Sequence, residues 1–194
     1  MNIEFWFDFG SPTAYLANCR LGQLAEKYGA TIERKPMLLG GVFKSAGSAS
    51  PATVPAKGQY MFMHDLPRFA ARYGVELNFN PHFPINTLNL MRGVYAAREL
   101  GCEDAYIDAM FDAIWVKAEN MGDLEVCQRV MTAAGLDADA IMAKVSEPEI
   151  KQALIESTEA AVARGIFGAP TMFIGEDMYF GQDRLDFVEE RLSA

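Results

Sequence analysis

The stretch FWFDFGSPTAYLA, Phe5 to Ala17, decides the fold. It opens inside a short apolar and aromatic run, Ile3 to Phe9, interrupted by acids at Glu4 and Asp8. Such a run reads as a buried strand. Gly10 breaks it. Ser11 then stands where a helix N-cap belongs, and Pro12 takes the first helical position, where its missing N–H costs nothing. Ala17, Leu21, Leu24, Ala25 and Tyr28 recur at helical spacing, and Gly29 supplies a stop. The unit is strand, tight turn, helix. Its polar tip is one serine hydroxyl at a helix N-terminus, where unpaired N–H groups and the dipole favour an anion. Taken alone, Ser11 is accounted for by the cap.

Working outward, Ala30 to Pro36 alternates and carries β-branched residues. It reads as a second strand, parallel to the first through a right-handed crossover. Val42 to Lys57, rich in Ser, Ala, Gly and Pro, reads as a long loop, either a lid or a plain connection. Helical spacing resumes over Tyr60–Tyr73, and Val75–Pro84 is irregular. Further helices are expected over Thr87–Leu100, Glu103–Val116, Asp123–Ala134 and Asp137–Val145. Pro148–Arg164 is a longer amphipathic helix. Ile166–Ile174 reads as a strand, Met178–Phe180 as its hairpin partner across Gly175–Asp177, and Asp186–Leu192 as a closing helix starting near Asp183.

The chain has 194 residues, 51% of them apolar and 22% charged, an ordinary globular composition. A net charge of −9 argues against a nucleic-acid surface, which needs clustered Lys and Arg. No apolar run approaches the roughly 20 residues of a membrane span. No basic leader precedes the first strand, so a cytoplasmic protein is expected. Cys19, Cys102 and Cys127 are widely spaced and form no C-x-x-C, so neither a zinc knuckle nor a redox dithiol is read from them. The two histidines, His64 and His82, have no metal-ligand spacing, and no metal site is expected. Ser11 is not in a G-x-S-x-G elbow, which disfavours a Ser-His-Asp hydrolase.

The element order is βαβ, a helical block, a helix, a β-hairpin and a last helix. Without the block, this is the thioredoxin order. The expected fold class is α/β: a thioredoxin-like domain, residues 1–40 and 150–194, holding an inserted all-helical domain, residues 41–149, the arrangement of DsbA and the kappa class. In thioredoxin-like proteins the strand-to-helix turn carries Cys-X-X-Cys, whose first thiolate is stabilised by the helix end. Here those positions read Ser11-Pro12-Thr13-Ala14. The geometry is kept without either sulfur, which disfavours a disulfide oxidoreductase.

FDFGSP followed by YLA resembles the N-terminus of the kappa-class glutathione transferases and, more closely, of the 2-hydroxychromene-2-carboxylate isomerases. The resemblance extends to both ends and the middle of the chain. It implies that Ser11 faces the sulfur of bound glutathione. IFGAPTMF resembles the element in which a cis proline, here Pro170, precedes the third strand and faces the helix tip. The backbone N–H and C=O of Ala169 would then pair with the cysteinyl residue of the tripeptide. In FGQDRL, Asp183 suffices as a helix cap, and the resemblance implies that Gln182 and Asp183 hold the γ-glutamyl end. VPAKGQYMFMHDL resembles a kappa-class segment whose lysine contacts glutathione, and Lys57 is the matching position. Where the isomerases tend to carry an asparagine, this chain has Thr53. Thr53, Asn86 and Asn89 remain alternatives for polarising the substrate.

The resemblance therefore implies a glutathione-dependent isomerase of aromatic catabolism, as in naphthalene degradation. The family reaction interconverts 2-hydroxychromene-2-carboxylate and trans-o-hydroxybenzylidenepyruvate. The partners implied are glutathione, a small aromatic 2-oxo acid or other electrophile, and a second copy of the chain in a homodimer. The rival readings are a kappa-like transferase or peroxidase and a non-catalytic glutathione- or peptide-binding domain.

Overall fold

The first strand, β1 (Asn2–Phe7), is buried on both faces from Phe5 onward. Ile3, Phe5 and Phe7 point into the main core, with the rings of Phe5 and Phe7 stacked 5.2 Å apart. Trp6 points the other way and packs with Met37, Val42, Ala161, Ile166 and Phe173. This is the mark of a central strand. The computed structural model describes residues 1–194.

β1 runs parallel to β2 (Thr31–Pro36), with Phe5 opposite Arg34, through the crossover helix α1 (Pro12–Tyr28). On its other side β1 pairs antiparallel with β3 (Thr171–Ile174), Phe5 opposite Met172. β3 turns through Gly175 into β4 (Asp177–Phe180), and the sheet order is β2-β1-β3-β4. Between β2 and β3 lie α2 (Leu39–Ala46), α3 (Pro55–Tyr60), α4 (Leu66–Tyr73), α5 (Leu88–Glu99), α6 (Glu103–Trp115), α7 (Leu124–Ala133), α8 (Ala138–Val145) and α9 (Pro148–Ala163). A 3-10 turn, Gln182–Arg184, leads into α10 (Leu185–Ser193). This is the expected thioredoxin-like fold with its helical insertion. No helix is long and apolar enough to cross a membrane.

The helical block is welded to the sheet. Phe9 packs edge-on against Phe7, Tyr106 and Phe111. The buried Trp115 at the end of α6 donates its indole N–H to the Phe9 carbonyl at 2.8 Å. One cluster of buried apolar residues runs from Ile3 through α5 and α6 to Leu192.

Several boundaries differ from the sequence reading. The first strand stops at Phe7 rather than Phe9, because Ser11 N–H closes a turn on the Asp8 carbonyl. The stretch from Val42 is not a plain loop. α2 occupies its first part, a 3-10 turn spans Pro51–Thr53, and α3 starts at Pro55. α2 has no local cap, since Leu38 is its N-cap residue. The Asp8 carboxylate, 31 residues upstream, accepts the Leu39 N–H at 2.8 Å instead. Gly41 lets α2 lie close on α9, where a Cβ would meet Thr158 Cγ2 at 3.1 Å. α3 and α4 form one helical run through a π turn at Met61–Asp65. Residues 166–170 are not strand; the Ile166 N–H closes the end of α9 on Ala161.

Candidate active site

Ser11 ends the turn after β1 and caps α1. Its Oγ accepts from Ala14 N–H at 3.1 Å and shares a 2.9 Å hydrogen bond with the Thr13 hydroxyl. Pro12 has no N–H, and the Thr13 N–H has no acceptor within the protein. The helix tip therefore presents two hydroxyls and one free N–H. Ala169–Pro170 is cis, and the Ala169 carbonyl faces this tip. It accepts long hydrogen bonds from Ser11 Oγ and Thr13 Oγ1, at 3.4 and 3.3 Å. The Ala169 N–H has no partner within the protein.

Asp8 holds the frame around the tip. Its buried carboxylate accepts from Gly10 N–H at 2.9 Å, from the Thr87 hydroxyl at 2.7 Å and from Leu39 N–H. It thus ties the Ser11 turn to the starts of α2 and α5. Burial pushes its pKa above the ordinary carboxylate value, and the three donors pull it part of the way back.

Two adjoining cavities meet at the tip. One, about 370 Å³, is walled by the rings of Phe43, Phe83, Phe167 and Phe180. The other, about 450 Å³, is bounded by Lys57, Tyr60, Asp65 and Phe69. They share Thr13, Pro51, Met61, Gln182 and Asp183, and so make one cleft with an aromatic half and a more polar half.

In the polar half, Gln182 is buried and fixed by Tyr73. The Tyr73 hydroxyl donates to the Gln182 backbone carbonyl at 2.8 Å and to its Oε1 at 3.0 Å. Burial holds Tyr73 protonated, with a pKa near 12. The Gln182 NH2 makes no bond within the protein. Gly181, at φ 92°, turns the chain here and donates its N–H to the Pro170 carbonyl at 3.0 Å, locking the Gln182 turn onto the Ala169 loop. Asp183 is exposed and pairs with Arg184. It does not cap α10, whose N-cap residue is Arg184. Lys57 is exposed on the wall and makes no ion pair.

The fold therefore brings Ser11, Lys57, Ala169, Gln182 and Asp183 to one cleft, with Pro170 buried directly behind. It does not bring Thr53 or Asn86 there. Thr53 spends its hydroxyl on the Ser50 carbonyl at 2.7 Å, and Asn86 Oδ1 accepts Leu88 N–H at 3.1 Å at the start of α5. Asn89 lines a separate cavity with Leu124 and Met142. Sequence reasoning missed Asp8, Thr13 and Phe43. Thr13 had a signal, a second hydroxyl in the first turn of a helix. Asp8 had only its place beside the turn, and Phe43 had none.

The DsbA-like thioredoxin domain matches residues 2–193. A 2-hydroxychromene-2-carboxylate isomerase of Pseudomonas putida is 34% identical, over 99% of this chain and 94% of its own. The chain belongs to the 2-hydroxychromene-2-carboxylate isomerase family. As a member of that family it is an isomerase. A solved 2-hydroxychromene-2-carboxylate isomerase superposes with a TM-score of 0.90 at 33% identity, covering 100% of this chain and 95% of the other. Rat glutathione S-transferase kappa 1 is 28% identical, over 96% of this chain and 88% of its own. Ser11 stands at the helix tip of this chain, and the aromatic half of the cleft lies beside it.

Proposed function

We propose that this isomerase uses glutathione and interconverts 2-hydroxychromene-2-carboxylate and trans-o-hydroxybenzylidenepyruvate, or a close aromatic analogue. The observation that carries the reading is the junction at Ser11 and Thr13, where unpaired donors meet both a polar and an aromatic half-cleft. The residues present fit glutathione. The free Ala169 N–H is available to the cysteinyl carbonyl, the Gln182 NH2 and the Asp183 carboxylate to the γ-glutamyl end, and the unpaired Lys57 to the glycyl carboxylate. The kappa-class relative supports the same cofactor.

When bound, glutathione supplies a thiolate for reversible addition to the conjugated double bond, which frees that bond to rotate. Ser11 Oγ would donate a hydrogen bond to the sulfur, and the free Thr13 N–H would add the pull of the helix end. Thr13 Oγ1 orients the Ser11 hydroxyl. Phe43, Phe83, Phe167 and Phe180 sandwich a flat aromatic acid and exclude water. On this reading residues 1–40 and 150–194 supply the glutathione-binding part. The inserted segment, 41–149, supplies Phe43, Lys57 and Phe83 as the facing wall.

An ultraviolet scan of the hydroxychromene substrate with enzyme tests this. The spectrum should shift to that of the open isomer with glutathione present and stay constant without it. A shift that needs no glutathione would remove the cofactor from the reading. Loss of substrate into a stable glutathione adduct would indicate a transferase.

The three cysteines should be dispensable. Burial raises the pKa of Cys19 and Cys102 and pushes Cys127 up to about 11, so all three are thiols at neutral pH. None lies at the tip of α1. Changing all three to Ala should leave turnover within about twofold while costing stability at the buried Cys127. A folded triple mutant without activity would make a protein thiol the nucleophile. The resemblance also implies a homodimer. Light scattering at micromolar concentration should give twice 21.4 kDa, and a single monomer mass would refute the dimer.

A further inference from the structure

A cavity of about 650 Å³ lies apart from the cleft. It lies on the opposite side of α2. Leu39 and Phe43 of that helix face the cleft, whereas Gly41, Lys44 and Ser45 line this second cavity with parts of α5 and α9. Its apolar wall is Leu38, Leu88, Leu154, Ile155 and Val162. Its charged groups are Lys44, Arg92, Lys151 and a single acid, Glu159.

The distribution of unpaired cations is informative. The Lys and Arg side chains that make no ion pair are Lys44, Lys57, Arg72, Arg92 and Lys151. Lys57 belongs to the cleft, and Arg72 lies over the Phe69 ring. The other three line this cavity. In a chain of net charge −9, carboxylates for pairing are plentiful, yet none has been placed against them. Arg92 is the most exacting case. Its Nε is buried with no hydrogen-bond partner, and its one side-chain hydrogen bond runs from Nη1 to Asn89 Oδ1 at 3.5 Å. A buried guanidinium N–H without an acceptor is costly, and a guanidinium fork matches a carboxylate.

The geometry points to a second ligand site between α2, α5 and α9 that binds an apolar carboxylate. Arg92 and Lys151 take the carboxylate, with Lys44 at the rim. The leucine, isoleucine and valine side chains take the apolar body. The cavity volume is that of an ordinary small-molecule site. The inference does not rest on the proposed isomerase reaction, because no residue of the cleft takes part.

The probe is 4-benzoylbenzoate, which carries the right charge and cross-links on illumination. Labels should map by mass spectrometry to α9 and α5, around Leu154, Ile155 and Leu88. Labels from the cleft would fall instead on peptides bearing Phe83, Phe167 or Phe180, so the two sites separate whichever function holds. Arg92→Gln with Lys151→Gln should lower labelling of α9 at least about tenfold, the size of one lost charge-assisted hydrogen bond. Labelling of the cleft should not change. 4-Methylbenzophenone, which lacks the carboxylate, should label α9 equally weakly in both proteins, a control that needs no variant. Competition by 2-naphthoate or by decanoate distinguishes an aromatic from an aliphatic acid as the preferred body. Labelling of α9 that is equal in wild type and variant, or that is confined to the cleft, would overturn the site. So would a dimer in which a second copy protects α2 and α9 from hydrogen exchange.

Discussion

Asp8→Ala is expected to cost about 3 kcal/mol of folding stability at neutral pH and to loosen the wall of the cleft. The carboxylate satisfies two half-buried backbone donors, Gly10 N–H and Leu39 N–H, and the buried Thr87 hydroxyl. A buried donor left without an acceptor costs about 1–3 kcal/mol; the two half-buried N–H groups each cost the lower part of that range, and the hydroxyl escapes part of it by rotating. The loss is also local. α2 has no cap of its own, so hydrogen exchange over residues 39–46 should rise more than the global loss explains. Asp8→Asn sharpens the test. Its one oxygen can keep Gly10 and Thr87, but its NH2 then confronts the Leu39 N–H.

The pH dependence has a definite sign. Burial raises the Asp8 pKa in the folded protein, so the folded state retains a proton that the unfolded chain has already released. The stability this group contributes is complete below the ordinary carboxylate range. It declines as pH rises through the raised folded value, then levels off. Asp8→Asn lacks this titration. In urea unfolding, wild type should therefore lose stability relative to Asp8→Asn as pH climbs from the carboxylate range towards neutral. A gain in wild type over that interval would contradict the account.

Ser11→Ala should raise the pKa of bound glutathione by about one to two units and cut turnover roughly ten- to a hundredfold. A hydrogen bond to a charged group is worth about 1.5–3 kcal/mol, and one pKa unit is about 1.4 kcal/mol. The free Thr13 N–H and the helix end remain, so the stabilisation of the thiolate is reduced rather than abolished. A more basic thiolate is also more nucleophilic, which returns part of the rate. Loss of the bond from Ala14 N–H should cost about 1 kcal/mol of stability. Thiolate absorbance in the ultraviolet, titrated against pH with saturating glutathione, reads the shift directly. Superimposable curves for the two proteins would leave Ser11 as a helix cap. Because the Thr13 hydroxyl lies 2.9 Å from Ser11 Oγ, Ser11→Ala with Thr13→Val should fall below the single variant.

The strand-turn-helix unit was legible because its signals are local. An apolar run, a breaking glycine, a Ser-Pro cap and a 3.6-residue spacing act within a few residues of one another, and they place Ser11 without reference to the rest of the chain. The helices of the insertion from Leu66 onward were legible for the same reason. What the sequence could not show rests on contacts between distant segments. α2 carries two glycines and no cap, and it is helical because Asp8 supplies the cap and Thr158 accepts close packing. Its Phe43 therefore becomes part of the cleft. Thr53 was a candidate by its place in the resemblance and Asn86 by residue type, and short-range bonds to Ser50 and Leu88 use their polar groups instead. Gln182 could be named from its motif, but its orientation depends on Tyr73, 109 residues away. Periodicity and capping are properties of a window of chain, whereas a binding cleft is made where windows meet. Only the folded chain decides which side chains arrive there with a donor or acceptor still unspent.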